Sequence, residues 1–335
     1  MKICVFGAGA IGGHLAARLA RGGAEVSVVA RGAHLAAIQA GGLRIEAPDE
    51  TFTQRMTATS DASSLGPQDA VLVTVKAPAL GSVAAAIAPL LKPDTPVVFV
   101  INGIPWWYFD KHGGALDGTR LEALDPGGAV RAAIGPERAI GGVVYSACTV
   151  VAPGVVQVEH ARNRLILGEL DGTVSSRAEA IAAPLMAGGF TMEVTPDIRS
   201  AVWSKLMLNM AGGPVAVLTT QSGKMNLLEP AVEKAVREIY AEAEAIARAL
   251  GCSPVFNVEQ SLAGSRKTSH KPSILQDLEL GRPMEVATIF DAPLKLARLA
   301  GVATPTLDLI VALARLRAKA AGLFNEMATP ASRGE

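Results

Sequence analysis

A glycine-rich segment near the start of the chain has the spacing of a phosphate-binding loop. Three glycines form G-x-G-x-x-G between a short apolar run rich in strand formers and a stretch with helical periodicity. The first glycine of such a motif allows a tight turn, the second lets the backbone approach a pyrophosphate, and the third lets helix and strand pack closely. The N–H groups of the helix N-terminus would then face the phosphates. The candidate dinucleotide-binding residues of this loop are Gly7, Gly9, Ala10, Ile11 and Gly12.

Arg31 follows the second predicted strand, where NAD-binding proteins usually place an acidic residue against the ribose hydroxyls. A guanidinium at this position can grip a 2′-phosphate through bidentate, charge-assisted hydrogen bonds. A solvated surface arginine is the common alternative. We predict NADPH as the cofactor and include Arg31 in its site.

Lys205 and Asn209 stand four residues apart on one predicted helix, so both side chains lie on the same helix face. Apolar residues such as Trp203 and Leu206 flank the lysine, which favours a partly desolvated ammonium with a lowered pKa. A partly desolvated ammonium on the same helix face as an amide could hold polar groups of a ligand or exchange a proton with it.

The elements around these residues predict an α/β domain. Strands of a parallel, doubly wound sheet are predicted over residues 3–6, 25–30, 70–75 and 97–101, and the last two are the near-continuous apolar runs of strands that helices cover on both faces. Lys76 and Asn102 follow the third and fourth of these strands, at the strand ends where open α/β sheets collect ligands.

The second half of the chain changes character. Residues 140–151, 155–159 and 164–167 predict an antiparallel extension of the sheet, and almost everything beyond Thr195-Pro196-Asp197 predicts helix, including 232–250 and 289–299. Thr195 and Pro196 are expected to be the N-cap and the first helical residue. We therefore predict a Rossmann NADPH-binding domain over 1–195 and an all-helical substrate and catalytic domain over 196–335, with a frayed tail over 328–335.

Composition limits the function classes. Equal numbers of basic and acidic residues, 31 of each, argue against nucleic acid as a partner. The three cysteines and five histidines lack metal-ligand spacing, so we expect no metal and no disulfide framework. No signal peptide or membrane span is expected, which favours a soluble cytoplasmic protein.

Five short segments resemble the ketopantoate reductase (2-dehydropantoate 2-reductase) family. They are KICVFGAGAIGG at 2–13, TVKA at 74–77, INGI at 101–104, WSKLMLN at 203–209 and SILQDLELGRPMEV at 273–286. The resemblance implies a Rossmann domain followed by a helical domain. It also implies NADPH-dependent reduction of 2-dehydropantoate to (R)-pantoate, a step toward pantothenate and coenzyme A.

The resemblance also implies roles for individual residues. Lys205 would be the general acid, and Glu285 would contact the substrate hydroxyl and the catalytic lysine. Asn209 would hold polar groups of the substrate. Ser273 would bind its carboxylate, although a plain helix N-cap is the alternative for this serine.

Two further residues are implied on the cofactor side. By the same resemblance Lys76 would contact the cofactor, and Asn102 would contact both the nicotinamide side and the substrate. Gly103 would permit close approach of the backbone beside Asn102.

Two features depart from the family pattern and keep other functions open. Gly213-Pro214 replaces an Asn-Pro pair that often supplies a substrate-binding amide, and four aromatic residues, 106–109, follow INGI. Core packing or a subunit contact is the favoured role of the aromatic run. The alternatives are a reductase of another, bulkier 2-oxo acid and a non-catalytic NADPH-binding redox sensor. The apolar helical half leaves a homodimer open.

Overall fold

The computed structural model describes residues 1–324, so the predicted frayed tail over 328–335 lies outside the described residues. The chain forms two compact units. The first contains residues 1–101 and 105–198, and the second contains residues 102–104 and the chain from Arg199 onward. The assignment of a cofactor domain and a substrate domain, divided at residue 195, stays a prediction.

Twelve strands occur among the described residues, all in the first unit. Numbered along the chain, they are β1 (Lys2–Phe6), β2 (Glu25–Val29), β3 (Leu43–Glu46), β4 (Thr51–Gln54), β5 (Thr57–Thr59), β6 (Ala70–Val73), β7 (Val97–Val100), β8 (Ala139–Tyr145), β9 (Cys148–Ala152), β10 (Val155–Val158), β11 (Arg164–Glu169) and β12 (Thr191–Val194).

The main sheet has eight strands in the order β12-β11-β8-β7-β6-β1-β2-β5. From β5 to β8, every pair of neighbours is parallel, and the order reverses between β1 and β6. This is the doubly wound arrangement in which ligands bind at the carboxyl ends of the strands beside the reversal point. β11 pairs antiparallel with β8. The predicted Rossmann-type sheet with an antiparallel extension is confirmed.

One predicted strand, 140–151, is two strands that belong to different sheets. β8 is buried along almost its whole length and joins the main sheet, whereas β9 pairs with β10 in a separate four-stranded sheet, β4-β3-β10-β9. The interpretation that the end of the 140–151 segment and the 155–159 segment extend the main sheet is therefore wrong. The physical reason is that apolar periodicity reports which residues prefer a strand, and tertiary packing decides which sheet the strand joins.

Five α-helices accompany these sheets. They are α1 (Ala10–Arg21), α2 (Gly32–Gly41), α3 (Leu80–Ala86), α4 (Ala129–Ile134) and α5 (Ser176–Ala187). Short 3₁₀ turns occupy Ala62–Ser64, Ala77–Ala79, Ala88–Leu90, Gly114–Leu116 and Pro126–Gly128.

The aromatic run packs into the protein interior. Trp106, Trp107, Tyr108 and Phe109 are all at most 4% exposed. Trp106 meets Phe99 edge-on, with ring centroids 5.4 Å apart. These contacts agree with core packing, the favoured interpretation of the run.

The second unit is helical. Its helices are α6 (Ile198–Thr219), α7 (Gly223–Asn226), α8 (Pro230–Ala249), α9 (Val258–Lys267), α10 (Ser273–Glu279), α11 (Ala292–Leu299) and α12 (Pro305–Ala320), and a π-helical turn covers Ala287–Asp291. The predicted helix over 232–250 corresponds to α8, and the one over 289–299 combines the π turn with α11.

Helix α6 begins two residues later than expected. The hydroxyl of Thr195 accepts a hydrogen bond of 3.1 Å from the backbone N–H of Asp197, which forms a turn ahead of the helix. The helical residues begin only at Ile198, so the expected N-cap position at Thr195 and first helical residue at Pro196 are wrong, and residues 195–197 form a turn that the Thr195 side chain closes.

By length and composition, α6 could cross a membrane, and 61% of its most apolar window is buried inside the protein. A core helix has the same properties. The helix also carries Lys205, a candidate catalytic residue.

Candidate active site

The glycine-rich loop connects β1 to α1 through a tight turn. Gly7 adopts φ +106°, which is strained for any other residue, and its carbonyl accepts a hydrogen bond of 2.7 Å from the Thr74 hydroxyl. A Cβ atom on Gly12 would lie 2.2 Å from that same carbonyl oxygen. The first and third glycines are therefore required by the fold of the loop.

Gly9 differs because its missing side chain points into open space. No heavy atom lies within 4 Å of the position that its Cβ would take, and Gly9 is the N-cap of α1. Ala10 and Ile11 form the first turn, whose backbone N–H groups have no acceptor within the helix. Open space in front of free N–H donors fits the pyrophosphate of a dinucleotide.

Arg31 and Lys76 lie at the same edge of the sheet as this loop. β2 and β6 flank β1, and the two residues follow the carboxyl ends of β2 and β6. Both side chains are exposed, and within residues 1–324 the Arg31 guanidinium has no hydrogen bond or ion pair. A phosphate near the end of β2 would meet an available guanidinium.

Thr74 was not among the predicted site residues. It lies in the TVKA segment, and its hydroxyl and backbone N–H both contact the chain at the end of β1. Thr74 thus supports the glycine loop from the neighbouring strand end. The segment itself was the signal that could have identified it.

In the second unit, Asn102 bridges an ammonium and a carboxylate. The Nζ atom of Lys205 donates a hydrogen bond of 2.7 Å to Oδ1 of Asn102, and Nδ2 of Asn102 donates a longer one of 3.5 Å to Oε2 of Glu285. Glu285 is 5% exposed, whereas Lys205 and Asn102 are half-buried. We call these three residues the Asn102 cluster.

The arrangement fixes the orientation of the Asn102 amide. Its oxygen accepts from a cation and its nitrogen donates to a carboxylate, so the reverse orientation would lose both hydrogen bonds. The bond to Asn102 holds the Lys205 ammonium in a defined position. A positioned ammonium is a group that can stabilise a carbonyl oxygen that gains negative charge.

Asn209 and Ser273 contribute no hydrogen bond to this cluster. Asn209 lies one turn after Lys205 on α6 and is half-buried, and its side chain makes no hydrogen bond within residues 1–324. Ser273 is exposed and is the first residue of α10, with Pro272 at the N-cap position. Within residues 1–324 the Ser273 hydroxyl caps no helix, and Ser273 lies one residue inside α10, so the alternative role of this serine as a helix N-cap is wrong.

Gly213, two turns beyond Lys205 on α6, is buried against apolar side chains. Its Cβ would lie 3.4 Å from Ile274 Cγ2 and 3.4 Å from Phe290 Cε1. The family pattern often has a polar side chain at position 213, and in this protein that position is lined by apolar groups.

A buried histidine follows the glycine loop on α1. His14 Nε2 accepts a hydrogen bond of 3.2 Å from Arg18, and Nδ1 lies 3.2 Å from the Ser146 hydroxyl. Burial, together with the neighbouring Arg18 charge, lowers the pKa of His14 to about 3. The ring is neutral at physiological pH and its two nitrogens are already occupied, which indicates a structural role.

Other reactive groups do not form a second centre within the described chain. No group of three or more His, Cys, Asp or Glu side chains in residues 1–324 could hold a metal ion. The three cysteines are free thiols, and burial raises the pKa of Cys4 to about 12.

The sequence matches two parts of one protein family. Residues 3–108 match "Ketopantoate reductase PanE/ApbA", and residues 197–318 match "Ketopantoate reductase PanE/ApbA C terminal". Together the matches cover more than half of the chain. The chain belongs to the ketopantoate reductase family.

Individual relatives agree with this membership. A 2-dehydropantoate 2-reductase from Mesorhizobium japonicum is 43% identical over 327 residues, which cover 97% of this chain and all of the relative. The crystal structure of a candidate ketopantoate reductase from Ralstonia solanacearum MolK2 superimposes with a TM-score of 0.89 at 42% identity, covering 96% of this chain and 99% of that one.

The fold of this family extends to a more distant enzyme. A D-mandelate dehydrogenase, solved with NADH and anilino(oxo)acetate, superimposes with a TM-score of 0.80 at 20% identity, covering 97% of this chain and all of that one. At this identity the likeness concerns the fold alone.

Proposed function

We propose that the protein is an oxidoreductase that uses NADPH to reduce 2-dehydropantoate to (R)-pantoate, a step toward pantothenate and coenzyme A. The observation that carries the proposal is the Asn102 cluster, in which Lys205 and Glu285 are joined through one amide. The cluster occurs in a chain that is 43% identical to a 2-dehydropantoate 2-reductase along almost its whole length.

In this proposal each residue of the second unit has a separate task. Lys205 donates the proton to the ketone oxygen, and Asn102 holds the ammonium in position while contacting the substrate. Glu285 orients Asn102 and accepts a hydrogen bond from the substrate hydroxyl. Asn209 and Ser273, whose side chains make no hydrogen bond within residues 1–324, bind other polar groups of the substrate, the carboxylate in the case of Ser273.

The first unit holds the cofactor in this proposal. The loop from Gly7 to Gly12 takes the pyrophosphate at the N-terminus of α1, Arg31 takes the 2′-phosphate, and Lys76 contacts the cofactor from the end of β6. Bound NADPH supplies the hydride. The same fold carries NADH in D-mandelate dehydrogenase, so the choice of cofactor rests on the exposed guanidinium of Arg31 and not on the fold.

A spectrophotometric assay with a panel of substrates tests the proposal. Purified protein is mixed with NADPH and 2-dehydropantoate, and the loss of nicotinamide absorbance is followed. Chiral analysis of the product should give (R)-pantoate. Other 2-oxo acids with larger or more apolar tails are run in parallel, and a kcat/KM for 2-dehydropantoate far below the best of them would contradict the substrate assignment.

The second candidate is a reductase of a bulkier or more apolar 2-oxo acid. The observation that favours it is the apolar wall that Ile274 and Phe290 form against Gly213. The same panel separates the two candidates, because a substrate without a hydroxylated tail would then be preferred. A non-catalytic NADPH sensor is less well supported, since cofactor binding alone does not require Lys205, Asn102 and Glu285 to form a cluster.

We also propose a soluble, cytoplasmic enzyme whose partner is a small molecule. Free thiols at Cys4, Cys148 and Cys252 fit a reducing compartment. A homodimer stays a prediction, which three exposed leucines on one face of α12 support: Leu309, Leu313 and Leu316. Light scattering during size-exclusion chromatography measures the oligomeric state directly.

A further inference from the structure

The segment from Asn102 to Ile104 packs with the second unit, although residues on both sides of it belong to the first. Its packing partner is the π-helical turn Ala287–Asp291. Glu285, the carboxylate of the Asn102 cluster, lies two residues before this turn. The segments 102–104 and 285–291 therefore contact each other in two ways, through the side chains of Asn102 and Glu285 and through their backbones.

The backbone contact is close and specific. Gly103 has φ +83°, and a Cβ atom placed on it would lie 2.4 Å from the carbonyl oxygen of Thr288 and 2.5 Å from the carbonyl carbon. The N–H of Ile104 donates a hydrogen bond of 2.9 Å to the same Thr288 oxygen. Ile104 is fully buried and Thr288 is 4% exposed, so water does not compete for this bond.

The π-helical turn also contacts the backbone of Glu285. The Thr288 hydroxyl lies 3.4 Å from the Glu285 carbonyl oxygen, and the N–H of Ile289 donates to that oxygen at 3.1 Å. Close packing and hydrogen bonds thus connect the backbone at Gly103 to Thr288, and Thr288 to the backbone of Glu285. Only a few rotatable bonds lie between these backbone atoms and the side-chain amide of Asn102 or the carboxylate of Glu285.

We propose that the Gly103–Thr288 contact is a positioning element that holds the Asn102 amide between Lys205 and Glu285. Gly103 is required because only a residue without Cβ lets the backbone come this close to the Thr288 carbonyl. The inference rests on the proposed reduction. Gly103 and Thr288 act through Asn102 and touch no reacting atom.

The central test is a double-mutant cycle between Gly103→Ala and Asn102→Ala, with kcat measured for 2-dehydropantoate. Because a displacement of about 1 Å from a productive geometry can slow a reaction by about 100-fold, we expect Gly103→Ala to lower kcat by about 10- to 100-fold. NADPH affinity, measured by fluorescence, should change much less than kcat, because the predicted pyrophosphate and 2′-phosphate contacts belong to the other unit. In the Asn102→Ala background, Gly103→Ala should have no further effect on kcat.

Gly251→Ala is the matched control. Gly251 lies in the same unit with φ +77°, but no atom lies within 4 Å of its Cβ position. Gly251→Ala therefore introduces a backbone strain similar to that of Gly103→Ala without the steric clash, and its kcat should stay at the wild-type value. Equal losses of kcat in both variants, or additive losses in the double-mutant cycle, would show that Gly103 serves folding and not positioning.

A measurement independent of turnover completes the test. The side-chain amide signal of Asn102 in ¹⁵N-asparagine-labelled protein can be assigned by its disappearance in Asn102→Asp. We expect it to shift in Gly103→Ala and to stay in place in Gly251→Ala, and an unshifted signal in Gly103→Ala would overturn the inference. If Gly103→Ala does not fold, Thr288→Ala, which loosens the turn, should shift the same signal.

Failure of the two proposals is distinguishable. Absence of 2-dehydropantoate reduction by the wild-type protein would contradict the proposed function, and the amide signal would still test the positioning role. Normal turnover together with an additive double-mutant cycle would contradict the positioning role alone.

Discussion

The Lys205 ammonium lies 2.7 Å from the carboxamide oxygen of Asn102, although the two residues are 103 positions apart in the sequence. Lys205 comes from the middle of α6, and Asn102 comes from a short segment that follows β7. The contact brings together the two sequence motifs WSKLMLN and INGI. The contact gives Lys205 a fixed neighbour. Trp203 and Leu206, which lie close to Lys205 on α6, are buried.

Removal of the Lys205 amine should abolish most of the turnover. General acid catalysis typically contributes about 10²- to 10⁴-fold, so Lys205→Ala should lower kcat by about that factor with little change in NADPH affinity. Steady-state kinetics and fluorescence titration measure the two quantities. Lys224→Ala, an exposed lysine of the same unit, is the control and should retain wild-type kcat. A Lys205→Ala enzyme with undiminished turnover would remove the lysine from the mechanism.

Asn102→Asp should impair activity in a pH-dependent way. The change replaces the Nδ2 donor that faces Glu285 with a second acceptor, so two carboxylates would stand about as close as the present pair. We expect kcat to fall by about 10-fold or more at pH 8 and to recover partly toward pH 6, as a shared proton restores one donor. Asn257→Asp is the control, because aspartate can replace asparagine at the N-cap of α9. A pH profile parallel to that of the wild type would argue against the amide bridge.

Arg31→Ala should reduce discrimination between the two nicotinamide cofactors. A charge-assisted hydrogen bond contributes about 1.5 to 3 kcal/mol, so the Kd for NADPH should rise by about 10- to 100-fold, while the Kd for NADH changes little. Titration of both cofactors by calorimetry measures this. Lys2→Ala removes a positive charge from the opposite end of β1 and should leave both values unchanged. An unaltered NADPH affinity in Arg31→Ala would favour a purely solvated arginine.

Two glycines of the loop should respond differently to alanine. Gly12→Ala places a Cβ 2.2 Å from the Gly7 carbonyl oxygen, so we expect a fall in Tm as well as loss of NADPH binding. Gly9→Ala meets no protein atom within 4 Å, so the fold should be retained while a bound pyrophosphate is obstructed. Thermal melts and NADPH titrations separate the two effects, with Gly41→Ala as the control. Unchanged NADPH affinity in Gly9→Ala would mean that the open space in front of α1 is not the pyrophosphate site.

His14 should make the free energy of unfolding depend on pH. The unfolded chain binds a proton at this side chain below its ordinary pKa of 6.5, whereas the folded protein excludes that proton until about pH 3. The contribution of the neutral His14 ring to the free energy of unfolding is therefore fully present above pH 6.5. It is lost as the pH falls from about 6.5 to about 3, with a slope of up to about 1.4 kcal/mol per pH unit.

Urea unfolding between pH 7 and pH 5 checks this expectation. Glu50, which pairs with Arg18, has a lowered pKa and titrates mainly below this window. His34 also has a lowered pKa because of burial, so His14→Gln should reduce the slope without removing it. Equal slopes in wild type and His14→Gln would contradict a buried neutral ring.

The sequence by itself determined the local elements and much of the candidate chemistry. G-x-G-x-x-G after a strand predicts the turn at Gly7, because only glycine tolerates its φ of +106°. The four-residue spacing of Lys205 and Asn209 places both on one face of α6. These properties depend on short-range sterics and on helix periodicity, which adjacent residues encode.

The tertiary structure alone decided how distant pieces combine. No local pattern indicates that 102–104 packs with the helical unit, that β9 leaves the sheet of β8, or that Ser273 caps no helix. The distance from Lys205 to Asn102 belongs to the same class, since the two residues are 103 positions apart in the sequence. The physical reason is that such contacts are selected by the free energy of burying whole elements against each other, which no single segment of the sequence contains.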